Sequence, residues 1–156
     1  MGADINGWVE IREEHADAWR GVIRIDDLVH RSYGMFCSLF GFRNWPHRFR
    51  PVAPERGAPP GASAEYEDER DGYGGPVGET WILWSEFADI NWNEEGRQYI
   101  DEETDYVESL PGLRRHRERR GDYLVDGWVT LFEKMAALAE EFGAENVRLS
   151  VWFDMR

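Results

Sequence analysis

The stretch DINGWVE, residues 4–10, places a short carboxylate, a short amide and an indole at every second position: Asp4, Asn6 and Trp8. Alternation is the period of a strand, so these side chains share one face, spaced about 6.6 Å from one to the next. A carboxylate and an amide can bond the polar edges of a small ligand, and an indole can stack on it. Short polar side chains also satisfy backbone groups where a strand begins. Both readings stay open on sequence alone.

A second chemistry-bearing region follows. Between Leu28 and Pro54 there is no acidic residue, yet Arg31, Arg43, Arg48 and Arg50 stand there with His30 and His47. Within it, GFRNWPHRFRP interleaves Phe42, Trp45 and Phe49 with the arginines. Guanidinium forks bind phosphate or carboxylate, and aromatic faces stack on bases. The combination suits a small anionic, nucleotide-like ligand; the alternative pairs these arginines with the acidic stretch EYEDER. Arg56-Gly57 in PERGAP adds a cation beside a residue that permits close backbone approach. In the ligand reading Arg31, Arg43 and Arg56 hold the charge, Trp8, Trp45 or Trp81 stacks, and Asp4 and Asn6 bond polar edges.

Catalytic signatures are missing. The chain has no GxxxxGKS, no GxGxxG after a strand, no HExxH and no GxSxG. Its histidines are His15, His30, His47 and His116, and Cys37 is the single cysteine, so no zinc-type spacing and no internal disulfide arise. No cofactor is expected. Asp4 and Asp154 would form a carboxylate pair able to hold Mg²⁺ or to act as acid and base if the end strands are neighbours.

Composition bounds the partners. The chain has 156 residues, 42% of them apolar, and a formal charge of −13 from 31 acidic and 18 basic side chains. That is long and aromatic enough for one domain with a sizeable core. The charge repels nucleic acid and anionic membrane over most of the surface, so no direct nucleic-acid binding is expected. Lys134 is the only lysine; the remaining basic groups are arginines, which suit planar or phosphate-like partners. No apolar run reaches the length of a membrane span and no secretion signal opens the chain, which predicts a cytoplasmic protein.

The elements that must position these groups can be read by period. Residues 4–12 and 19–26 alternate as strands. Val29, Tyr33, Phe36, Cys37 and Phe40 follow helical spacing; the helix is expected to start near Ser32 and stop at Gly41. From Arg43 to about Gly78 periodicity is weak, which predicts a long loop, and 93–121 reads as a charged excursion whose RRHRERR run is a solvated face. TWILWSEFADI, 80–90, reads as a strand turning into a short helix, or as one irregular element. Leu124, Trp128, Leu131, Met135, Leu138 and Phe142 mark one face of a helix over 123–142, with Asp122 capping its start and Gly143 its end. VRLSVWF, 147–153, alternates as a last strand. The order predicts an α+β domain spanning 1–156: a mostly antiparallel sheet, its first and last strands central, packed on the long C-terminal helix. Asp4, Asn6, Trp8, Ser150, Trp152 and Asp154 then share the face away from that helix, and the middle segment must roof it, leaving a cleft between sheet and loop.

MGADINGWVE resembles the opening of a group of phage and bacterial proteins that begin Met-Gly-x-Asp-Ile-His. RIDDLVHRSYGMFCSLFGFRN is similar to that group's Arg-x-Tyr-x-x-Phe helix, which ends in an Arg-Asn pair. PERGAPPGAS resembles its Pro-Arg-Gly-Leu-Pro loop and ETWILWSEF its Ser-Trp-Leu segment. The group has no established activity. The resemblance implies a phage-linked context and the convergence of Asp4, Arg31, Arg43, Asn44 and Arg56. Asn6 stands where the group often has histidine, and GYGGPVGETW lacks the histidine expected before Trp81. Those departures argue against histidine chemistry and favour binding without turnover.

The reading is therefore a phage-linked accessory protein that sequesters a small anionic ligand. Its alternatives are an acidic inhibitor of a host defence enzyme that imitates DNA, and a metal-dependent phosphoesterase using Asp4 and Asp154.

Overall fold

The computed structural model describes residues 2–14, 16–43, 49–96 and 119–155. Four strands form one antiparallel sheet in the order β2-β1-β4-β3. They are β1 (Ala3–Ile11), β2 (Arg20–Arg24), β3 (Val77–Leu83) and β4 (Val147–Met155). The first and last strands are thus central, paired from Ala3↔Met155 through to Ile11↔Val147.

That register sorts the side chains. Ile5 faces Phe153, Val9 faces Leu149 and Ile11 faces Val147, all on one side. This side is buried with Met35, Phe36, Leu39, Trp128, Leu131 and Met135 in the core. The last three belong to α4 (Asp126–Phe142), whose stripe at steps of three and four was legible as a helix face. The others come from α1 (Tyr33–Phe40), which starts and stops where the sequence predicts. Ser32 accepts a hydrogen bond from the Met35 N–H at 3.2 Å, and Gly41 closes the helix in the left-handed region at φ 67°. β3 runs directly into α3 (Trp84–Phe87), as expected for a strand turning into a helix.

Two expectations need correction. Asp122 does not cap α4; it accepts from the Arg119 N–H at 2.8 Å and closes a 3-10 turn over Arg120–Tyr123. The helix begins three residues later than the helical spacing suggested, after Val125. The stretch from Arg43 to Gly78 is not all loop, because it holds α2 (Ala64–Asp71). Only Tyr66 of α2 is buried, so no apolar period betrays it. Its signals are local: Ser63 accepts from the Tyr66 N–H at 3.1 Å, and Glu65 and Glu67 stand in the first turn. Among the described residues no helix is long and apolar enough to cross a membrane. Most of the excursion read over 93–121 lies outside the described residues.

Candidate functional site

Asp4, Asn6, Trp8, Glu10, Arg148, Ser150, Trp152 and Asp154 lie on the sheet face away from α4, and the middle segment does cover it. Over its inner half the cover is tight. Glu10 accepts from Arg148 Nε at 2.8 Å and from the Ser63 N–H at 2.7 Å, and both charged side chains are buried. Arg148 also donates to the Pro60 carbonyl at 2.8 Å and lies 4.0 Å over the Trp19 ring. Burial pushes its guanidinium below the ordinary value, against the pull of Glu10. The Tyr66 ring stands edge-on to Trp152, 5.1 Å between centroids, and burial raises the Tyr66 hydroxyl's pKa. This half is packed structure, and Arg148 Nη2 within it is a buried donor without a partner among the described residues.

The outer half, where β1 begins and β4 ends, gathers the polar candidates. Asp4 stands opposite Asp154 and Asn6 opposite Trp152. Arg31 reaches Asp4 at 2.8 Å, with both side chains partly open to solvent. Tyr33 accepts from the Ala3 N–H at 3.2 Å, and Arg43 lies 5.4 Å over the Tyr33 ring with a guanidinium nitrogen 3.7 Å from the Met155 sulfur. From the other side Tyr73 donates to Asn6 Oδ1 at 3.1 Å and packs edge-on against Trp152. Asn6 is 5% exposed and Trp152 is fully buried, yet Asn6 Nδ2 and Trp152 Nε1 have no acceptor among the described residues. Two buried N–H groups thus sit on facing residues, each of a kind that costs about 1–3 kcal/mol when left unpaired.

An acidic network borders this end. Trp8 donates its indole N–H to Glu69 at 2.7 Å. Arg24 bridges Glu69 at 2.8 Å and Asp26 at 3.1 Å, and Asp26 also accepts weakly from the Gly7 N–H at 3.4 Å. Burial and the Glu69 charge push the Asp26 carboxyl up to about 6. Burial also raises the Tyr73 hydroxyl's pKa, with Asp26, Glu69 and Asp154 adding to the shift. Trp8 is therefore a tether between β1 and α2, not a free stacking surface.

Arg56 and Trp81 come together, but elsewhere. Arg56 lies 4.9 Å over the Trp81 ring and holds both Glu86 oxygens, at 2.7 and 2.6 Å. It also donates to the Trp81 and Val52 carbonyls at 3.1 and 3.3 Å. The hydrogen bonds from Arg56 hold the Glu86 carboxyl below the usual carboxylate range. Trp81 pairs with Ser150, four residues along β4 from Asp154, or roughly 13 Å at strand rise. Asn44 and Trp45 lie outside the described residues. Of the candidates, Asp4, Asn6, Arg31 and Arg43 share one end of the sheet, Trp8 anchors the network beside it, and Arg56 and Trp81 form a separate clamp.

Sequence reasoning missed Tyr33, Tyr73, Asp26 and Glu69. Tyr33 was legible only as part of an apolar helix face, and Tyr73 sits in a charged, Gly-rich run without period. The reading of RRHRERR as a solvated face fails at its last member. Arg120 is 2% exposed; it donates to the Ser38 and Arg50 carbonyls and to Glu94 at 3.1 Å. Among the described residues no group of three metal-ligating side chains converges.

Two cavities flank α3, each about 300 Å³. One has a mixed lining, with Val52 and Ile90 beside Glu86, Asn91, Glu94 and Arg120; the other is apolar and lies between α3 and α4. No protein-family model, curated protein or solved structure matches the chain.

Proposed function

We propose that this protein binds a small anionic, nucleotide-like ligand at the outer end of the sheet. The observation that carries the reading is the facing pair of buried donors, Asn6 Nδ2 and Trp152 Nε1, that have no acceptor among the described residues. They want an acceptor edge such as a base or carbonyl group offers. Arg31 and Arg43, exposed at the rim, supply charge for a phosphate or carboxylate. Tyr33 and Tyr73 supply aromatic walls. The carboxylates of Asp26 and Glu69 are engaged by Arg24, so the rim arginines are not simply cancelled by them. In the phage-linked setting that the resemblance implies, a host signal nucleotide is a ligand of this class, and sequestering it needs no turnover.

Tryptophan fluorescence titration against mono- and dinucleotides tests the reading, read together with the indole N–H resonance of Trp152. A saturable change at sub-millimolar ligand, with a shift of the Trp152 resonance and at least a tenfold loss in Arg31→Gln, is the expected result. A flat response to the whole panel at millimolar concentration overturns it. So does a Trp152 indole N–H already bonded to the Asn6 carbonyl oxygen in the free protein.

The phosphoesterase reading retains one observation, the direct opposition of Asp4 and Asp154. Adding Mg²⁺ and a generic phosphodiester to the same titration separates the two: metal-dependent turnover favours hydrolysis, saturable binding without turnover favours sequestration.

A further inference from the structure

The apolar cavity between α3 and α4 is a groove beside the helix that covers the sheet face opposite the one carrying Asn6 and Trp152. Trp84 and Phe87 form one wall, Trp92 the end, and Val129 and Phe132 the other wall, with Glu133 at the lip. The aromatic rings hold one another: Phe87 and Phe132 lie 4.9 Å apart by centroid, Trp92 and Phe132 5.8 Å. The groove is therefore preformed. It runs along α4, where Val129 is 36% exposed. Val129, Phe132 and Ala136 follow helical steps of three and four, so they make one apolar stripe beside the exposed charges of the helix.

Charge says what covers it. The stripe is flanked on α4 by the exposed carboxylates Asp126, Glu133 and Glu140, with Lys134 the only cation of the helix. The whole chain carries −13. A second copy of this chain would bring the same carboxylates against themselves, which disfavours self-docking. We infer that the groove docks an amphipathic helical segment of a partner protein, apolar along one side and bearing Lys or Arg beside it. Such a segment lays its anchors at helical spacing into the apolar slot while its cations meet the acidic lip. The surface is independent of the nucleotide-like reading, and either can stand without the other.

The probe is a fluorescein-labelled helical peptide with leucines at positions i, i+3, i+4 and i+7 and lysines elsewhere, followed by anisotropy and by backbone resonance shifts of the full chain. Its Leu/Glu counterpart is the control. Expected are saturable binding of the Leu/Lys peptide, shifts centred on Val129, Phe132, Ala136 and the Trp84 and Trp92 indoles, and no binding of the Leu/Glu peptide. Val129→Asp distinguishes docking from mere charge attraction. It makes the protein more acidic, so a purely electrostatic encounter tightens, whereas a peptide seated in the groove weakens at least tenfold. Ala136→Asp, at the other end of the stripe, repeats the test should Val129→Asp fail to fold. Tightening in both variants overturns the inference. So do shifts confined to α2, dimerisation of the free chain through these same residues, or contacts in the free protein showing residues 97–118 already in the groove.

Discussion

Glu10 and Arg148 meet across the two central strands at 2.8 Å with 0% and 2% of their side chains exposed. The pair is the interior tie between the sheet and the segment above it, since Glu10 also accepts from Ser63 and Arg148 donates to Pro60. Removing one member leaves the other charged and buried. Glu10→Ala should therefore destabilise by about 3–5 kcal/mol, read by urea unfolding. Replacing both, Glu10→Leu with Arg148→Met, should recover much of that loss, because the desolvation of two ions disappears together. A double variant less stable than either single one would refute this account.

Asp26 gives a pH dependence with a definite sign. Its carboxyl is pushed up to about 6, first by burial and then by Glu69. The folded state thus favours the protonated form more than the unfolded chain does. The associated stability is full below about pH 4 and is lost as pH rises through about 6. Asp26→Asn keeps a neutral side chain and an oxygen for the Gly7 N–H. The variant should be more stable than the parent at pH 8, on the order of 1 kcal/mol after allowing for solvent screening. The two melting curves should converge by pH 4. A gain that persists unchanged at pH 4 would point to a cause other than ionisation.

What the sequence disclosed, and what it hid, follows from burial. β1, β4 and α4 each bury a full side, so their apolar residues keep strict period, and the pairing of the chain's two ends was legible. The alternation turns Glu10 and Arg148 away from the apolar face, but it does not show that they pair, which depends on the register of the two strands. α2 was not legible because a helix that buries only Tyr66 leaves no stripe to find. The candidate arginines could be listed but not sorted. Whether a guanidinium waits for a ligand or clamps a carboxylate depends on a partner distant in sequence, as Glu86 is for Arg56 and Asp4 is for Arg31. Arg120 shows the same limit in reverse, a buried tie concealed in a charge run.

Gly7 occupies an inward position of β1 at φ 155°, where an added Cβ would lie 2.1 Å from the Ser150 carbonyl oxygen. That contact is with backbone of the adjoining central strand and cannot be relieved by a rotamer. Gly7→Ala should destabilise by about 2–4 kcal/mol. Gly57 is the comparison: its φ is 89° but an added Cβ meets nothing within 4 Å. Gly57→Ala then reports the conformational penalty alone, about 1 kcal/mol. Equal thermal shifts in the two variants would remove the steric explanation.

Arg56 binds Glu86 through both guanidinium nitrogens while lying over Trp81. A lysine can match the charge but neither the fork nor the stacking. Arg56→Lys should lose about 1–2 kcal/mol at pH 7. Because Arg56 holds the Glu86 carboxyl below its ordinary value, the ion pair's contribution is present above the ordinary carboxylate range and is lost as pH falls through the lowered value. The Lys variant should consequently approach the parent in stability under strong acid. Rescue by lysine at pH 7 would show that charge alone suffices at this clamp.

Asp4 is the residue whose change separates a binding site from a structural ion pair. It holds Arg31 at 2.8 Å and faces Asp154 across the strands. An anionic ligand must take Arg31 from Asp4 and approach two facing carboxylates. If Arg31 serves the ligand, Asp4→Asn removes a competitor and a repelling charge together, and nucleotide affinity should rise several-fold. The gain should diminish with added salt, since it is electrostatic at a partly exposed site. The effect on stability should be small, because the pair is open to solvent. Weaker nucleotide binding in Asp4→Asn at unchanged stability would mean that the carboxylate itself contacts the ligand, and the anionic group would then have to lie away from Arg31.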